Sequence, residues 1–316
     1  MVENLNAKPI IKWSGRKTYL TPYVDDYLSK IGKEQFTYYE PFMGSGAVYF
    51  NLADQKKIEK AYLNDSLREL VILYETIRNC DLNRMSKNIK NEIARYMAHT
   101  SGRKTDYRSK TKIFKEWKEE FNSLIMPESI DYLGRNQKIR VSILFLLLNY
   151  SCFNGVYRKN PKGLFNVPHG RSVTKSGIKD NKISIPEKSI FMEVKKIFLE
   201  TNVIFSSIDF KHALRTVEEG DLVYLDPPYY DSVNYYNEVD FTHENQKELR
   251  DEMIRIAELG AHVMMSNSKS RECKKLFNSS HFEIKEIPVT RTIQRKKKAN
   301  HQYKEDKKEL FITSCL

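Results

Sequence analysis

With 316 residues the chain has room for one large domain or two modest ones, and ample length for a core. Lys and Arg outnumber Asp and Glu by 53 to 41, so the formal charge of +12 suits a binder of polyanions, and 19 Tyr and 16 Phe supply rings for stacking on bases. The cysteines Cys80, Cys152, Cys273 and Cys315 form no CxxC pair, which argues against a zinc site or a disulfide framework and for a reducing, cytoplasmic setting. The longest apolar run, Val141 to Leu148, falls short of a membrane span.

From the N-terminus, KPIIKWSG (Lys8 to Gly15) ends in a glycine turn followed by Arg16 and Lys17. Thr21-Pro22 reads as an N-cap with proline in the first turn, Tyr23, Val24, Tyr27, Leu28 and Ile31 recur at helical spacing, and Gly32 ends the helix. Phe36 to Tyr39 reads as a strand entering Glu40-Pro41-Phe42-Met43-Gly44-Ser45-Gly46, and Ala47 to Leu52 is apolar enough for a helix. Strand, glycine-rich turn and helix form a cradle in which backbone N–H groups approach a nucleotide-like ligand. A second strand, Lys60 to Leu63, ends in Asn64-Asp65. An acid about 20 residues past the glycine turn suits a ribose hydroxyl, and it equally suits a cap for the helix Leu67 to Ile77.

From Arg78 to Lys195 the chain becomes basic, polar and largely helical. Arg84, Lys87, Lys90, Arg95, Arg103, Lys104, Arg108, Lys110, Lys112, Lys115 and Lys118 read as solvated helix faces. Ile139 to Tyr150 reads as a buried helix, apolar almost all round. After it, Cys152 to Arg171 holds two β-like runs around the turn Asn160-Pro161-Lys162-Gly163, which predicts a hairpin. Arg158, Lys159, Lys162 and Arg171 with a reading side chain such as Asn154 fit a major groove; a structural basic hairpin would explain the same residues.

The α/β rhythm then resumes. Val203 to Ile208 and Leu222 to Leu225 read as strands, Asn245 to Leu259 as an amphipathic helix closed by Gly260, and Ala261 to Met265 as a strand ending in Ser266-Asn267-Ser268. Tyr230 to Tyr236 is long enough for a lid, and Arg291, Arg295 and Lys296 to Lys298 form a run suited to solvent or to phosphates. The sharpest signal is Asp226-Pro227-Pro228-Tyr229 after the Leu222 strand, at the strand end where open α/β sheets bind ligands. Asp226 and the Pro227 carbonyl, fixed by the proline backbone, suit the two N–H groups of an exocyclic amine, with Tyr229 stacked on its ring. A Pro-Pro turn with Asp226 capping nearby backbone is the plain alternative.

Taken in order, KWSGRK, EPFMGSG, LND, FNGVYRKNPKGLFNVPHGR, DPPY and SNS resemble the Dam-type DNA adenine-N6 methyltransferases of the D12 class, alpha group. The resemblance implies an α/β, Rossmann-like S-adenosylmethionine-dependent methyltransferase sheet formed by 1–77 and 196–316. Inserted in it at 78–195 would be a mostly helical target-recognition domain with a hairpin at about 152–171. It implies methyl transfer to adenine N6 in double-stranded DNA by base flipping, with Asp226, Pro227, Pro228 and Tyr229 catalytic. Trp13, Lys17, Glu40, Phe42, Gly44, Gly46, Asp65 and Asp226 would hold the cofactor. Lys12, Asn154, Val156, Arg158, Pro168 and Arg171 would meet the DNA, Arg158 reading a guanine. GATC is the first site implied. A longer site in a restriction-modification system, an RNA N6-adenine methyltransferase and a non-catalytic DNA-binding module are the alternatives. No metal is implied, and the chain is expected to be a nucleoid-associated monomer, with any cognate restriction endonuclease acting separately.

Overall fold

The structure is a computed structural model that describes residues 8–13, 15, 17–98, 105–174, 177–180, 183–229, 241–289 and 308–316, the side chains of 105–106 and 171–180 excepted. In chain order these form α1 (Thr21–Ile31), β1 (Phe36–Glu40), α2 (Ala47–Asp54), β2 (Ile58–Asn64), α3 (Arg68–Asn79), α4 (Leu82–Met97), α5 (Thr105–Leu124) and α6 (Arg135–Ser151). There follow β3 (Arg171–Thr174), β4 (Gly177–Asp180), α7 (Lys188–Glu200), β5 (Ile204–Ser206), α8 (Phe210–Ala213) and β6 (Leu222–Leu225). The last elements are α9 (His243–Glu258), β7 (His262–Ser268), α10 (Arg271–Phe277), β8 (Phe282–Pro288) and β9 (Lys308–Ser314).

Among the described residues seven strands make one sheet in the order β5-β2-β1-β6-β7-β9-β8, in which β9 runs against both its neighbours. β1 connects outward to β2 on one side and lies beside β6 on the other, so the carboxyl ends of β1 and β6 meet at a topological switch point. Period-two alternation sorts the strand residues between two cores. Tyr38, Leu222, Tyr224 and Met264 join the core on one face, whereas Tyr39, Val223, Leu225, Val263 and Met265 join the other with α8, α9 and α10.

The first core does not stop at the sheet. Trp117 of α5 and Phe145 of α6 belong to the same apolar cluster as Tyr38, and α6 packs along α3. Each such fully buried ring stabilises by roughly 1.5–3 kcal/mol, so the helices inserted after α3 are held to the sheet by a shared interior.

Several sequence expectations shift in detail. Thr21 is not the N-cap of α1: a 3-10 turn at Thr18–Leu20 precedes it, and Thr21 Oγ1 donates to the Thr18 carbonyl at 3.0 Å. The stop at Gly32 holds, with φ +73°. β7 continues through Ser266-Asn267-Ser268, because β9 pairs with that stretch; β8 and β9 are strands that the sequence reading left unassigned. Around Asn160 the expected turn forms, with Gly163 N donating to Asn160 O at 2.9 Å and Asn166 N to Arg158 O at 3.0 Å. Its arms make only isolated bridges, Lys159 to Phe165 and Cys152 to His169, and the regular ladder is β3 with β4 farther on. Pro161 and Pro168 lack N–H donors, and Tyr157, Phe165 and Val167 turn inward to the core rather than pairing along a flat ladder.

Lys110 is no member of a solvated face: it is 3% exposed, its ammonium 5.4 Å from the Tyr96 ring centroid. Arg16, Arg103, Lys104, the proposed lid at 230–236 and the basic run at 291–298 lie outside the described residues. All four cysteines are free thiols, and no described helix is long and apolar enough to cross a membrane.

Candidate active site

The cradle forms where β1 passes into α2. Gly44 and Gly46 both have positive φ, +48° and +66°, so the turn needs residues without a Cβ penalty. At Gly44 space decides as well: a Cβ there would meet Trp13 Nε1 at 2.7 Å. The turn is tied down by Asp65, whose Oδ2 accepts from Gly44 N at 2.8 Å while Oδ1 accepts from Leu67 N at 2.9 Å, ahead of α3. Both sequence readings of Asp65 therefore concern one carboxyl, and its observed contacts are the structural ones. Burial pushes it up to about 6 against those two N–H bonds. Asn64 before it is fully engaged, donating to Pro41 O and Ile208 O and accepting from Ser206 Oγ and Ile208 N, which clamps the ends of β1, β2 and β5. Glu40 is 2% exposed and accepts from the Tyr38 hydroxyl at 2.9 Å behind the turn, and burial pushes its carboxyl well above the usual carboxylate range. Phe42 packs edge-on against Phe241 and tilted against Phe210.

Next to the cradle, Asp226 leaves the carboxyl end of β6. Its Oδ1 faces Lys17 Nζ at 3.0 Å and accepts from Ser266 Oγ at 2.9 Å. Its Oδ2 and the Pro227 carbonyl have no hydrogen-bond partner among the described residues. Burial raises Asp226, and Lys17 and Ser266 partly oppose this. Gln246 of α9 donates to Pro228 O at 2.8 Å and fixes the second proline. Lys17, 6% exposed, also donates to the Tyr229 hydroxyl and stands over the Tyr229 ring, 4.6 Å from its centroid. Tyr229 in turn donates to Glu309 Oε2 at 2.5 Å, and Tyr19 donates to the same oxygen.

The segment after α6 is held from behind. Asn149 accepts from Lys12 N and donates to Lys12 O, both at 2.8 Å, and donates to Gly155 O at 3.1 Å. Gly155, φ +64°, is needed because a Cβ would reach Lys12 Cβ at 2.5 Å. Lys12 itself directs Nζ to Tyr150 O at 3.3 Å, and burial lowers its pKa. Tyr157 and Lys159 both engage Glu69 of α3, Lys159 at 2.9 Å; Glu69 is fully buried. Lys159 is thus an anchor and is withdrawn from the set of groove-facing cations. His169, buried, bonds Tyr96 and Thr111 and stacks on Tyr107. The outward side shows Asn154, exposed with φ +56°, exposed Pro168 and half-buried Val156. Arg158 directs Nε to Asn166 Oδ1 at 2.8 Å, and its terminal nitrogens have no partner among the described residues. Arg171 opens β3 opposite Asp180; its side chain is outside the described set.

The Asp226 carboxylate thus lies beside the glycine turn, and the segment after α6 is tied to Lys12, five positions before the Lys17 that pairs with Asp226. The family model described as D12 class N6 adenine-specific DNA methyltransferase matches residues 13–293. The chain belongs to that family. The methyltransferase is 29% identical to the type II methyltransferase M1.LlaDCHI of Lactococcus lactis subsp. cremoris over 91% of its own length and 90% of the relative's. To the type II methyltransferase M.MjaIII of Methanocaldococcus jannaschii it is 28% identical, over 92% and 93%. To the DNA adenine methylase of Escherichia coli strain K12 it is 24% identical, over 90% and 89%.

In this methyltransferase three residues of the Asp226 surroundings were not singled out from sequence: Tyr19, Ser266 as a ligand of the carboxylate, and Glu309. Ser266 lay in a quoted motif. Glu309 carried no signal, because only the antiparallel pairing of β9 with β7 brings residue 309 to the site.

Proposed function

We propose that this adenine-specific DNA methyltransferase uses S-adenosylmethionine and acts on adenine flipped out of double-stranded DNA, with Asp226 and the Pro227 carbonyl receiving the amino group. The observation that carries this is the division of labour at Asp226: Lys17 and Ser266 occupy Oδ1, and Oδ2 has no partner among the described residues and is left for a donor. The cradle fits the cofactor, since Gly44 and Gly46 keep backbone approachable where Trp13 already closes one wall. Trp13, Lys17, Phe42, Gly44, Gly46 and Asp65 would hold it, with Glu40 supporting the turn. Its sulfonium supplies a methyl group already activated for displacement, so the chain's own task is alignment and preparation of the nucleophile.

The amine lone pair is delocalised into the purine. Two N–H bonds, to Asp226 Oδ2 and Pro227 O, draw it back toward nitrogen, and methylation then releases one N6 proton to the acceptor or to water. Tyr229 would stack the base, returning about 1–3 kcal/mol of the unstacking cost. Because its hydroxyl is held by Lys17 and Glu309, the ring is pre-oriented rather than free to rotate.

Residues 78–195 would form the recognition part, with Asn154, Val156, Arg158, Pro168, Arg171 and Lys12 at the DNA. The terminal nitrogens of Arg158, without a partner among the described residues, fit the major-groove edge of guanine. GATC is the site to test first. The type II names of two relatives support service in a restriction-modification system; in this reading the endonuclease is a separate protein and the enzyme a monomer at the nucleoid. The test is expression in a methylation-free host, followed by direct sequencing of modified adenines beside the Asp226→Ala variant. A single methylated motif that vanishes with the variant is expected; unmodified adenine in the wild type would sink the reading.

A further inference from the structure

The residue that binds the active site together is absent from every motif. Glu309, on β9, is 5% exposed. Its Oε2 receives the hydroxyls of both Tyr19 and Tyr229 and lies 3.5 Å from Lys17 Nζ. Lys17 therefore sits between two carboxylates, Glu309 and Asp226, and Tyr229 bonds both Lys17 and Glu309. Three chain segments, two of them separated by nearly the whole sequence, converge here. Ser268 on β7 and Ile287 on β8, the strand neighbours of Glu309, bring no charge.

We propose that Glu309 is a positioning residue for methyl transfer, holding Lys17 and Tyr229 together so that Asp226 keeps one carboxylate oxygen for the adenine amine. The proposal rests on the reading of Asp226 given above. With Glu309 present, Lys17 is shared and contacts only Oδ1 of Asp226. Without it, the ammonium has one carboxylate left and moves further onto Asp226, where it competes with the substrate amine. The Tyr229 ring loses the acceptor that sets its plane. A misplacement of about 1 Å at a reacting group costs about 100-fold in rate.

The two carboxylates also repel across Lys17, and this gives a readout that mere structural support would not move. Among the described residues the titratable groups facing Asp226 are Lys17 and Tyr19 from the N-terminal segment, Glu40 on β1, Tyr224 on β6, Tyr229 after it and Glu309 on β9. Of these Glu309 raises Asp226 and Lys17 lowers it. Catalysis needs Asp226 ionised, so its titration sets the acid limb of the rate profile. Removing the negative charge of Glu309 lowers Asp226 and moves that limb to lower pH.

The experiment compares single-turnover methyl transfer by wild type, Glu309→Gln and Glu309→Asp across pH, with DNA affinity and melting temperature measured on each protein. Glu309→Gln is expected to lower the rate about 10- to 100-fold, to leave DNA affinity unchanged and to shift the acid limb downward, and Glu309→Asp to restore part of the rate. A rate within about twofold of wild type, or a loss that follows melting temperature with the acid limb unmoved, overturns the role. If the Gln variant does not fold, Glu309→Asp carries the same test, since its shorter arm withdraws the charge and should shift the limb in the same direction. A wild type that transfers no methyl would defeat the underlying reading; an active wild type with an unmoved limb defeats only the role of Glu309.

Discussion

The strand-end site and the segment after α6 solve opposite problems. At Asp226 nearly every polar group is engaged by another: Lys17, Ser266, Tyr229 and Glu309 bond in one network, and only Oδ2 and the Pro227 carbonyl are left open among the described residues. After α6 the labour is separated. Tyr157, Lys159, Asn149 and His169 hold the segment from inside, and Asn154, Arg158 and Pro168 are left toward solvent. A reaction needs few groups held rigidly, whereas a reader must expose groups to a partner that arrives later. Sequence neighbours such as Arg158 and Lys159 accordingly have different surroundings, Lys159 on buried Glu69 and Arg158 on Asn166, because successive residues of extended chain point to opposite sides.

Breaking the first region should have the largest effect. Asp226→Ala removes the acceptor proposed for the amine, and single-turnover transfer should fall by at least about 1000-fold with DNA retention still measurable. A residual rate within about tenfold of wild type would contradict the role assigned to Asp226. In the second region the inward side comes next. Lys159→Ala leaves Glu69 buried without its cation, with Glu69 Oε2 already unpartnered, and should destabilise by about 3–5 kcal/mol in denaturant titrations. The surviving enzyme should keep its base preference; altered preference would return Lys159 to the reading set.

Arg158→Ala should do the reverse. Stability stays near wild type, and discrimination at one base pair weakens by about 1–3 kcal/mol in competition assays with singly substituted sites. Equal weakening on every sequence would make Arg158 a phosphate contact instead. The smallest effect concerns the cradle. Asp65, pushed up to about 6, gains a proton as pH falls through that value and with it would lose the acceptor capacity proposed for a ribose hydroxyl. Calorimetry should show cofactor affinity constant above that value and falling by up to about tenfold per pH unit below it, with Asp65→Asn flattening the dependence. An affinity independent of pH in the wild type would confine Asp65 to its two backbone contacts.

Much of this architecture could be read along the chain, because its signals are local. Gly44 and Gly46 mark a turn that requires positive φ, Leu222 to Leu225 mark a buried strand, and the prolines after Asp226 end that strand at the site. The amphipathic spacing of α1 and α9 and the apolar run of α6 likewise belong to single segments. What tertiary structure alone decided were pairings between residues far apart: Lys17 with Asp226, Lys12 with Asn149, Tyr157 and Lys159 with Glu69, and Glu309 with Tyr19 and Tyr229. Local propensity and periodicity act over a few residues, whereas an ion pair or a hydroxyl contact depends on which strands lie side by side. Glu309 shows the difference most plainly: as a residue it is one acid in a basic tail, and only the insertion of β9 between β7 and β8 brings it against Lys17, Tyr19 and Tyr229.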